Sequence, residues 1–177
     1  MKKHFKSWKQ KSTTQQNMTT TPANLDAEKA FLSCTIQNIS ILNEAADYAS
    51  AKLFHHPCHK RVFEAALELW KEGKDCDLVT LTDAMSTAGT LDDAGGASFV
   101  AECFIAPCVQ SNWRDYLEIL RNKHTARLAI SAAERIIASA QNPAEAGELS
   151  EVVQKALVSV AADAESKGRI ESLKEIA

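Results

Sequence analysis

Apolar residues recur every three or four positions along most of the chain, the spacing of helices that bury one face. Early stripes predict helices over residues 25–37, 39–49, 57–72 and 113–140. The longest stripe predicts a last helix to about residue 163, and its members are Leu149, Val152, Val153, Ala156, Leu157, Val160, Ala161 and Ala164. The pattern therefore predicts an all-α fold.

Glycines and capping residues predict two short helices in the middle of the chain. Thr80 is a favourable N-cap for the first helix, and Asp83, three residues later, would complete a capping box. Gly89 stands where a left-handed C-cap is common. Gly95 and Gly96 then break the chain before the second helix. This stretch predicts a compact helical unit that carries no reactive group.

The two longest predicted helices, separated by a break at Asn142–Pro143, form an antiparallel helical hairpin over residues 109–164. It follows a compact multi-helix head over residues 22–108 and precedes a polar segment, residues 165–177, that begins another amphipathic stretch. The hairpin is expected either to fold back on the head or to associate with another copy. The residues expected at such an interface are Ile130, Ile137, Leu149, Val152, Val153, Leu157 and Val160.

Charge separates a basic first segment from an acidic remainder. The chain has 20 Lys and Arg against 23 Asp and Glu, but five lysines lie in its first eleven residues. The remainder, with 15 basic and 23 acidic residues, is a poor ligand for duplex DNA. Residues 1–21 are predicted to be a disordered basic tail. With Phe5 and Trp8, the tail would bind nucleic acid or an acidic partner; the alternatives are a solvated tail and a true start at Met18.

Candidate reactive groups are few. His55, His56, Cys58 and His59 are close enough in sequence to suggest zinc ligands, but no second ligand pair occurs elsewhere and no third group orients a Cys–His nucleophile. The phosphate-binding pattern Gly-x-x-x-x-Gly-Lys-Ser/Thr is absent, so ATP hydrolysis by this chain is not expected. The chain is interpreted as non-catalytic, with no cofactor or metal of its own.

The sequence also predicts a cytoplasmic location. The five cysteines are odd in number and lack a Cys-x-x-Cys spacing, which is typical of reduced, mostly buried thiols. No apolar run approaches the roughly 20 residues that span a bilayer, and no apolar stretch follows the first lysines as it would in a secretory signal. No membrane partner is expected.

Several short motifs follow one another in a fixed order. They are Pro22-x-Asn24-Leu25-Asp26-Ala27-Glu28, Phe54-x-x-Pro57-x-His59-x-x-Val62-Phe63, Asp77-Leu78-Val79-Thr80-Leu81, Gly89-x-Leu91, Gly95-Gly96 and Asn112-x-x-x-Tyr116-x-x-Ile119-Leu120-Arg121. Together they resemble the N-terminal domain of bacterial DnaB-type replicative DNA helicases. Ser33 replaces a usual glycine, which is expected to change packing locally. Residues 109–111 replace a usual Ser-Ala-Ala, so the loop there is expected to differ.

The resemblance implies a collar domain that assembles with itself, as dimers or a hexamer, through its hairpin. It also implies contact with primase and a helicase loader, and contact with DNA only indirectly. The resemblance covers about residues 22–177 and stops before the family's motor domain, where ATP and magnesium are expected. Two alternatives remain open. One is a stand-alone modulator that co-assembles with or caps a complete helicase, and the other is an unrelated metal- or thiol-dependent protein that uses the His55 to His59 cluster.

Overall fold

The computed structural model describes residues 21–141 and 149–174, and it describes the burial of side chains as far as residue 162. Within these ranges the regular structure is helical and contains no strand. Seven α-helices occur there: α1 (Leu25–Gln37), α2 (Ile39–Ala46), α3 (Pro57–Lys71), α4 (Leu78–Thr87), α5 (Gly96–Phe104), α6 (Trp113–Gln141) and α7 (Leu149–Lys174). The all-α prediction is confirmed. Apart from Thr21, the predicted tail lies outside the described residues.

Helix α1 forms the centre of the head. Its N-cap is the predicted Asn24, whose Oδ1 accepts a hydrogen bond from the backbone N–H of Ala27 at 3.0 Å. Asn38 ends α1 and caps α2 by accepting the N–H of Ser40 at 3.0 Å. Nine of the 13 residues of α1 are buried, because α2, α3, α5 and α6 all pack against it. A helix covered on nearly every side organises the core.

An aromatic cluster joins α1 to α3. Phe31, Phe54 and Phe63 are buried, and their ring centroids lie between 5.0 and 6.1 Å apart in tilted arrangements. Such geometry brings ring edges towards ring faces, which is favourable for aromatic pairs. Pro57 occupies the first turn of α3, and Gly73 follows its end with a φ of +70°, both as predicted. The cluster fixes α3 across the middle of α1.

Helix α4 begins earlier than predicted, and its N-cap is Asp77 rather than Thr80. The Oδ1 atom of Asp77 accepts the backbone N–H groups of Val79 and Thr80, both at 2.8 Å. Thr80 Oγ1 accepts the N–H of Asp77 at 2.9 Å, so Thr80 completes the capping box in the role predicted for Asp83. A carboxylate oxygen, with its charge and its lone pairs, accepts two such bonds at once.

Glycines in left-handed backbone conformation end α4, as predicted for Gly89, and precede α5, where only a break was predicted. Gly89 follows α4 with a φ of +69°, and Gly95 precedes α5 with a φ of +92°. A Cβ atom on Gly95 would lie 3.0 Å from Phe99 Cβ. Both backbone conformation and space therefore favour glycine at position 95.

Helices α6 and α7 pack against each other as the hairpin. The first half of α6 also completes the head core, where Trp113, Leu117 and Leu120 are buried. The boundary predicted near residue 109 therefore precedes a single helix that belongs to both head and hairpin. The predicted break at Asn142–Pro143 lies outside the described residues.

Helix α7 continues through residues 165–174, which were predicted to begin a separate polar segment. The predicted end near residue 163 marks where the apolar stripe ends. The helical backbone itself continues beyond that point. Gly168 costs a helix only about 1 kcal/mol, and most of its Glu, Lys and Arg neighbours favour helix. No helix among the described residues is both long and apolar enough to cross a membrane.

Candidate protein-interaction surface

The inner seam of the hairpin is made of small residues. Ala132 and Ser139 on α6 are each 7% exposed, and Ala156 on α7 is 2% exposed. Positions 132 and 139 are seven residues apart and therefore share one face of α6. Short side chains at a helix contact let the two axes approach closely. The fully buried positions along this seam of the hairpin are therefore small, and the larger apolar side chains around them are at most half-buried.

The residues predicted for a protein interface divide into two groups. Ile130, Ile137 and Leu157 are exposed, at 37%, 55% and 64%. The half-buried members are Leu149, Val152, Val153 and Val160. Val158, which the sequence analysis did not single out because it falls outside the helical stripe, is 67% exposed. We use the name hairpin patch collectively for Ile130, Ile137, Leu157 and Val158, the four branched apolar side chains that the two helices of the hairpin leave exposed.

Arginines on α6 attach the hairpin to the head. Arg127 donates from Nη1 to the carbonyl oxygen of Pro22 at 2.9 Å, and from Nη2 to the carbonyl oxygen of Leu53 at 2.6 Å. Burial lowers the pKa of Arg127, and the nearby charge of Glu28 acts in the opposite direction. Six residues earlier, Arg121 donates to the carbonyl oxygen of Tyr48. These bonds fix the start of the hairpin to the segment before α1 and to the connection between α2 and α3.

Two residues from separate motifs, Glu28 and His59, form a buried pair. Glu28 Oε2 accepts a hydrogen bond from His59 Nδ1 at 2.7 Å, while Oε1 accepts the N–H of His55 at 2.7 Å and Oε2 that of His56 at 3.2 Å. Burial alone would raise the pKa of Glu28. The hydrogen bonds from His59, His55 and His56 outweigh it, so the pKa is lowered. The pair joins α1 to the start of α3, which is a structural role.

The other motif residues also lie at structural positions. Leu81 is fully buried, and Leu78 and Leu91 pack against the core from its edge. Gly96 has a φ of +79° at the first position of α5. The motifs therefore determine how the head is folded, whereas the uncovered apolar side chains lie on the hairpin.

The histidine and cysteine cluster has a structural explanation as well. In the part of the chain that the structure describes, no three His, Cys, Asp or Glu side chains are grouped as metal ligands. His56 instead caps α3, its Nδ1 accepting the N–H of Cys58 at 3.2 Å. Burial raises the pKa of Cys34 to about 12, and those of Cys76 and Cys103 to about 11, which disfavours the reactive thiolates. The metal- or thiol-dependent alternative gains no support from these residues.

Comparison with known proteins agrees with the motif order. Residues 20–122 match the family model described as the DnaB-like helicase N terminal domain. The replicative DNA helicase DnaB of Treponema pallidum (strain Nichols) is 30% identical over 128 residues, covering 72% of this chain and 29% of that protein. The DnaB of Geobacillus stearothermophilus is 28% identical over 115 residues, covering 65% and 25%. The chain thus spans less than a third of the length of these relatives.

Two solved structures share the fold. The N-terminal domain of DnaB helicase from Mycobacterium tuberculosis has a TM-score of 0.74 at 23% identity, covering 78% of this chain and 99% of that one. A DnaB-like replicative helicase, described with its interactions with primase, has a TM-score of 0.56 at 23% identity, covering 81% and 35%. Since the family model matches more than half of the sequence, this chain belongs to the DnaB-like helicase N-terminal domain family.

Proposed function

We propose that this chain serves DNA replication as a non-catalytic collar domain of a replicative helicase. In this proposal, copies associate through their hairpins, and the assembled domains present a surface to primase and to a helicase loader. The observation that carries it is the hairpin patch, whose four branched apolar side chains are 37% to 67% exposed. The likeness to a helicase described with its primase interactions supports the primase contact. ATP, magnesium and direct DNA contact are assigned to the motor domain of complete helicases.

The size of the patch predicts a weak interface. Complete burial of a branched apolar side chain contributes about 1.5–3 kcal/mol, so side chains already half-covered contribute about 1 kcal/mol each. If all four side chains of both copies became buried, the gain would be on the order of 8 kcal/mol, against about 4–15 kcal/mol for lost freedom on association. Association through the hairpin alone is therefore expected to depend strongly on concentration. Tethering the copies in a ring would raise their effective concentration.

Light scattering of the whole chain over a concentration series tests this proposal. The mass should rise towards that of a dimer, or of an assembly built on dimers, as the concentration increases. Leu157→Asp should keep the chain monomeric at least tenfold higher in concentration, because it places a charge in an apolar contact. Ile105→Asp is the matched control, since Ile105 is 73% exposed on the head and lies outside the hairpin patch. A mass that Leu157→Asp leaves unchanged would refute the hairpin interface.

Primase contact requires a separate measurement. A purified primase domain, titrated into the chain at a concentration where it self-associates, should bind. Mixing the chain with a complete helicase then separates the two remaining roles. A stand-alone modulator would inhibit or load that helicase, whereas a collar domain would bind primase and leave the activity of a complete helicase unchanged.

A further inference from the structure

The surface formed by α4 and α5 is acidic and contains an open apolar groove. Between Asp75 and Glu102 the sequence has six acidic residues and no Lys or Arg. The groove has a volume of about 670 Å³, and the apolar residues along it include Leu78, Val79, Leu91, Ala97 and Ala101.

Two features suggest what the groove binds. Val79 is 76% exposed, the highest value among the large apolar side chains in the described ranges. Acidic groups accompany the apolar floor: Asp83 lines the groove, and Asp77, the N-cap of α4, immediately precedes the lining residue Leu78. A groove with an apolar floor and an acidic rim selects a segment that carries large apolar side chains among positive charges.

We propose that the chain's own residues 2–11 occupy this groove. The segment reads Lys-Lys-His-Phe-Lys-Ser-Trp-Lys-Gln-Lys, with five lysines around Phe5 and Trp8 and no acidic residue. The two aromatic side chains lie on the floor beside Val79, and the lysines face the carboxylates of the rim. In this proposal, the acidic partner expected for the basic tail is the head of the same chain.

The tail is long enough to reach the groove. Residues 12–21 span at most about 36 Å when extended. The start of α1 lies close to α5, because Lys29, in the second turn of α1, has its Nζ 4.0 Å from Glu102 Oε2. Leu25 and Lys29 are only about 6 Å apart along the helix axis. Because the segment is tethered to the head, its effective concentration at the groove is in the millimolar range. The segment therefore occupies the groove even if the affinity of the free peptide for it is low. The hairpin has no part in this contact, so docking of the tail does not depend on the proposed function.

Fluorine NMR of the full chain labelled with 5-fluorotryptophan tests the proposal directly. The chain has three tryptophans, Trp8, Trp70 and Trp113, and Trp8→Phe assigns the first resonance. A synthetic peptide of residues 1–12 gives the position of an undocked Trp8. The Trp8 resonance of the parent chain should be displaced from that position and broadened. About 0.5 M NaCl should reduce the displacement, since salt screens the lysine–carboxylate attraction.

Variants locate the contact. Val79→Asp should return Trp8 to the peptide position, whereas Ile105→Asp, at an equally exposed apolar residue outside the groove, should not. Unchanged Trp70 and Trp113 resonances verify that each variant is folded. Lys6→Glu with Lys9→Glu should release Trp8 without altering the head. A parent Trp8 already at the peptide position would overturn the proposal, as would equal effects of the Val79 and Ile105 variants. A displacement that vanishes on dilution would place the tail on a second copy and overturn docking within one chain.

Discussion

Glu28 holds the junction of α1 and α3 because its carboxylate accepts three hydrogen bonds, from the His59 ring and from the N–H groups of His55 and His56. Glu28 is 2% exposed and His59 is 1% exposed. A charge so far from water is tolerated only where donors satisfy it. This single side chain therefore determines where α3 can begin.

Glu28→Gln should lower the free energy of unfolding by about 2–4 kcal/mol, measured by urea denaturation. The substitution keeps the shape, but it removes the charge and turns one acceptor oxygen into a donor that faces other donors. Glu64→Gln is the control, on the exposed face of α3 with Lys60 at 3.9 Å, and should cost less than about 0.5 kcal/mol. Equal small losses in both variants would contradict the role given to Glu28.

His56 should make stability depend on pH below neutrality. Its pKa is lowered from 6.5 by burial and by the neighbouring His59, so below pH 6.5 the unfolded chain binds protons more readily than the folded one. Stability therefore falls as the pH drops through this window. His56→Asn keeps an N-cap but does not titrate. From about pH 7.5 to about pH 5.5, the parent should lose more stability than the variant. A larger loss in the variant would reverse the assigned direction.

Sequence reasoning succeeded for residues whose roles depend on near neighbours. Asn24, Pro57 and Gly89 act within a turn of their own positions, and each was placed correctly. The predicted capping box was displaced by three residues, because Asp77 and Thr80 are both favourable N-caps and only the backbone geometry selects between them. The bond between Glu28 and His59 spans 31 positions, and nothing local in the sequence predicts it.

At the scale of elements, the Ser33 hydroxyl joins α1 to the end of α5. The Oγ atom lies 3.0 Å from the carbonyl oxygen of Phe104 and 2.8 Å from that of Ala106, and it accepts the Nε2–H of Gln37 at 2.7 Å. A hydroxyl has one hydrogen, so it donates to one of these carbonyls at a time. Phe104 is the last residue of α5 and Ala106 lies two residues beyond it, where partners within the helix run out; Gln37 Nε2 also donates to the Phe104 carbonyl. A glycine at position 33 would offer no such link.

Ser33→Ala should therefore destabilise the chain by about 1–2 kcal/mol, because helix-end carbonyls lose a buried donor. Ser33→Gly should cost about 1 kcal/mol more through lower helix propensity. Ser86→Ala, at an exposed position of α4, is the control and should be neutral or slightly stabilising. Thermal unfolding of the three variants measures the difference. A neutral Ser33→Ala would mean that water replaces the hydroxyl at no cost.

The extent of the hairpin helices shows where a hydrophobic pattern stops being informative. The stripe identified both helices and included Ala156, which is buried, but it did not single out the buried residues Ala132 and Ser139 of α6. Close approach of two helices depends on small side chains, which the pattern does not weigh. The continuation of α7 to Lys174 was missed for a related reason, since a helix persists without an apolar face where propensity suffices.

At the scale of the whole molecule, the sequence predicted a head and a hairpin but not how they are joined. The join is a set of long-range bonds from arginines to backbone carbonyls, of which Arg127 supplies two, to Pro22 and Leu53. These partners are 105 and 74 positions away, so no pattern of neighbouring residues reveals them. The planar guanidinium places both donors at once, which a lysine ammonium does not.

Arg127→Lys should lower the free energy of unfolding by about 1–3 kcal/mol, since part-buried bonds from a charged donor to two carbonyls are weakened. Amide hydrogen exchange should become faster around residues 50–54 and at the start of α1, where those carbonyls lie. Arg135→Lys, at an exposed position of α6, is the control and should change neither quantity measurably. Unchanged exchange in the Arg127 variant would show that packing alone holds the hairpin to the head.

One continuous helix, α6, extends from the packed head to the far end of the first hairpin helix, so a small tilt in the head is amplified along the hairpin. The stretch from Arg127 to Gln141 is about 21 Å long, so a tilt of about 10° at its base moves the far end by about 4 Å. A small repacking around Trp113 in the head would thus displace the far end of α6 by a distance comparable to the length of a side chain. In an assembly joined at its hairpins, the spacing between copies would report the internal state of each one.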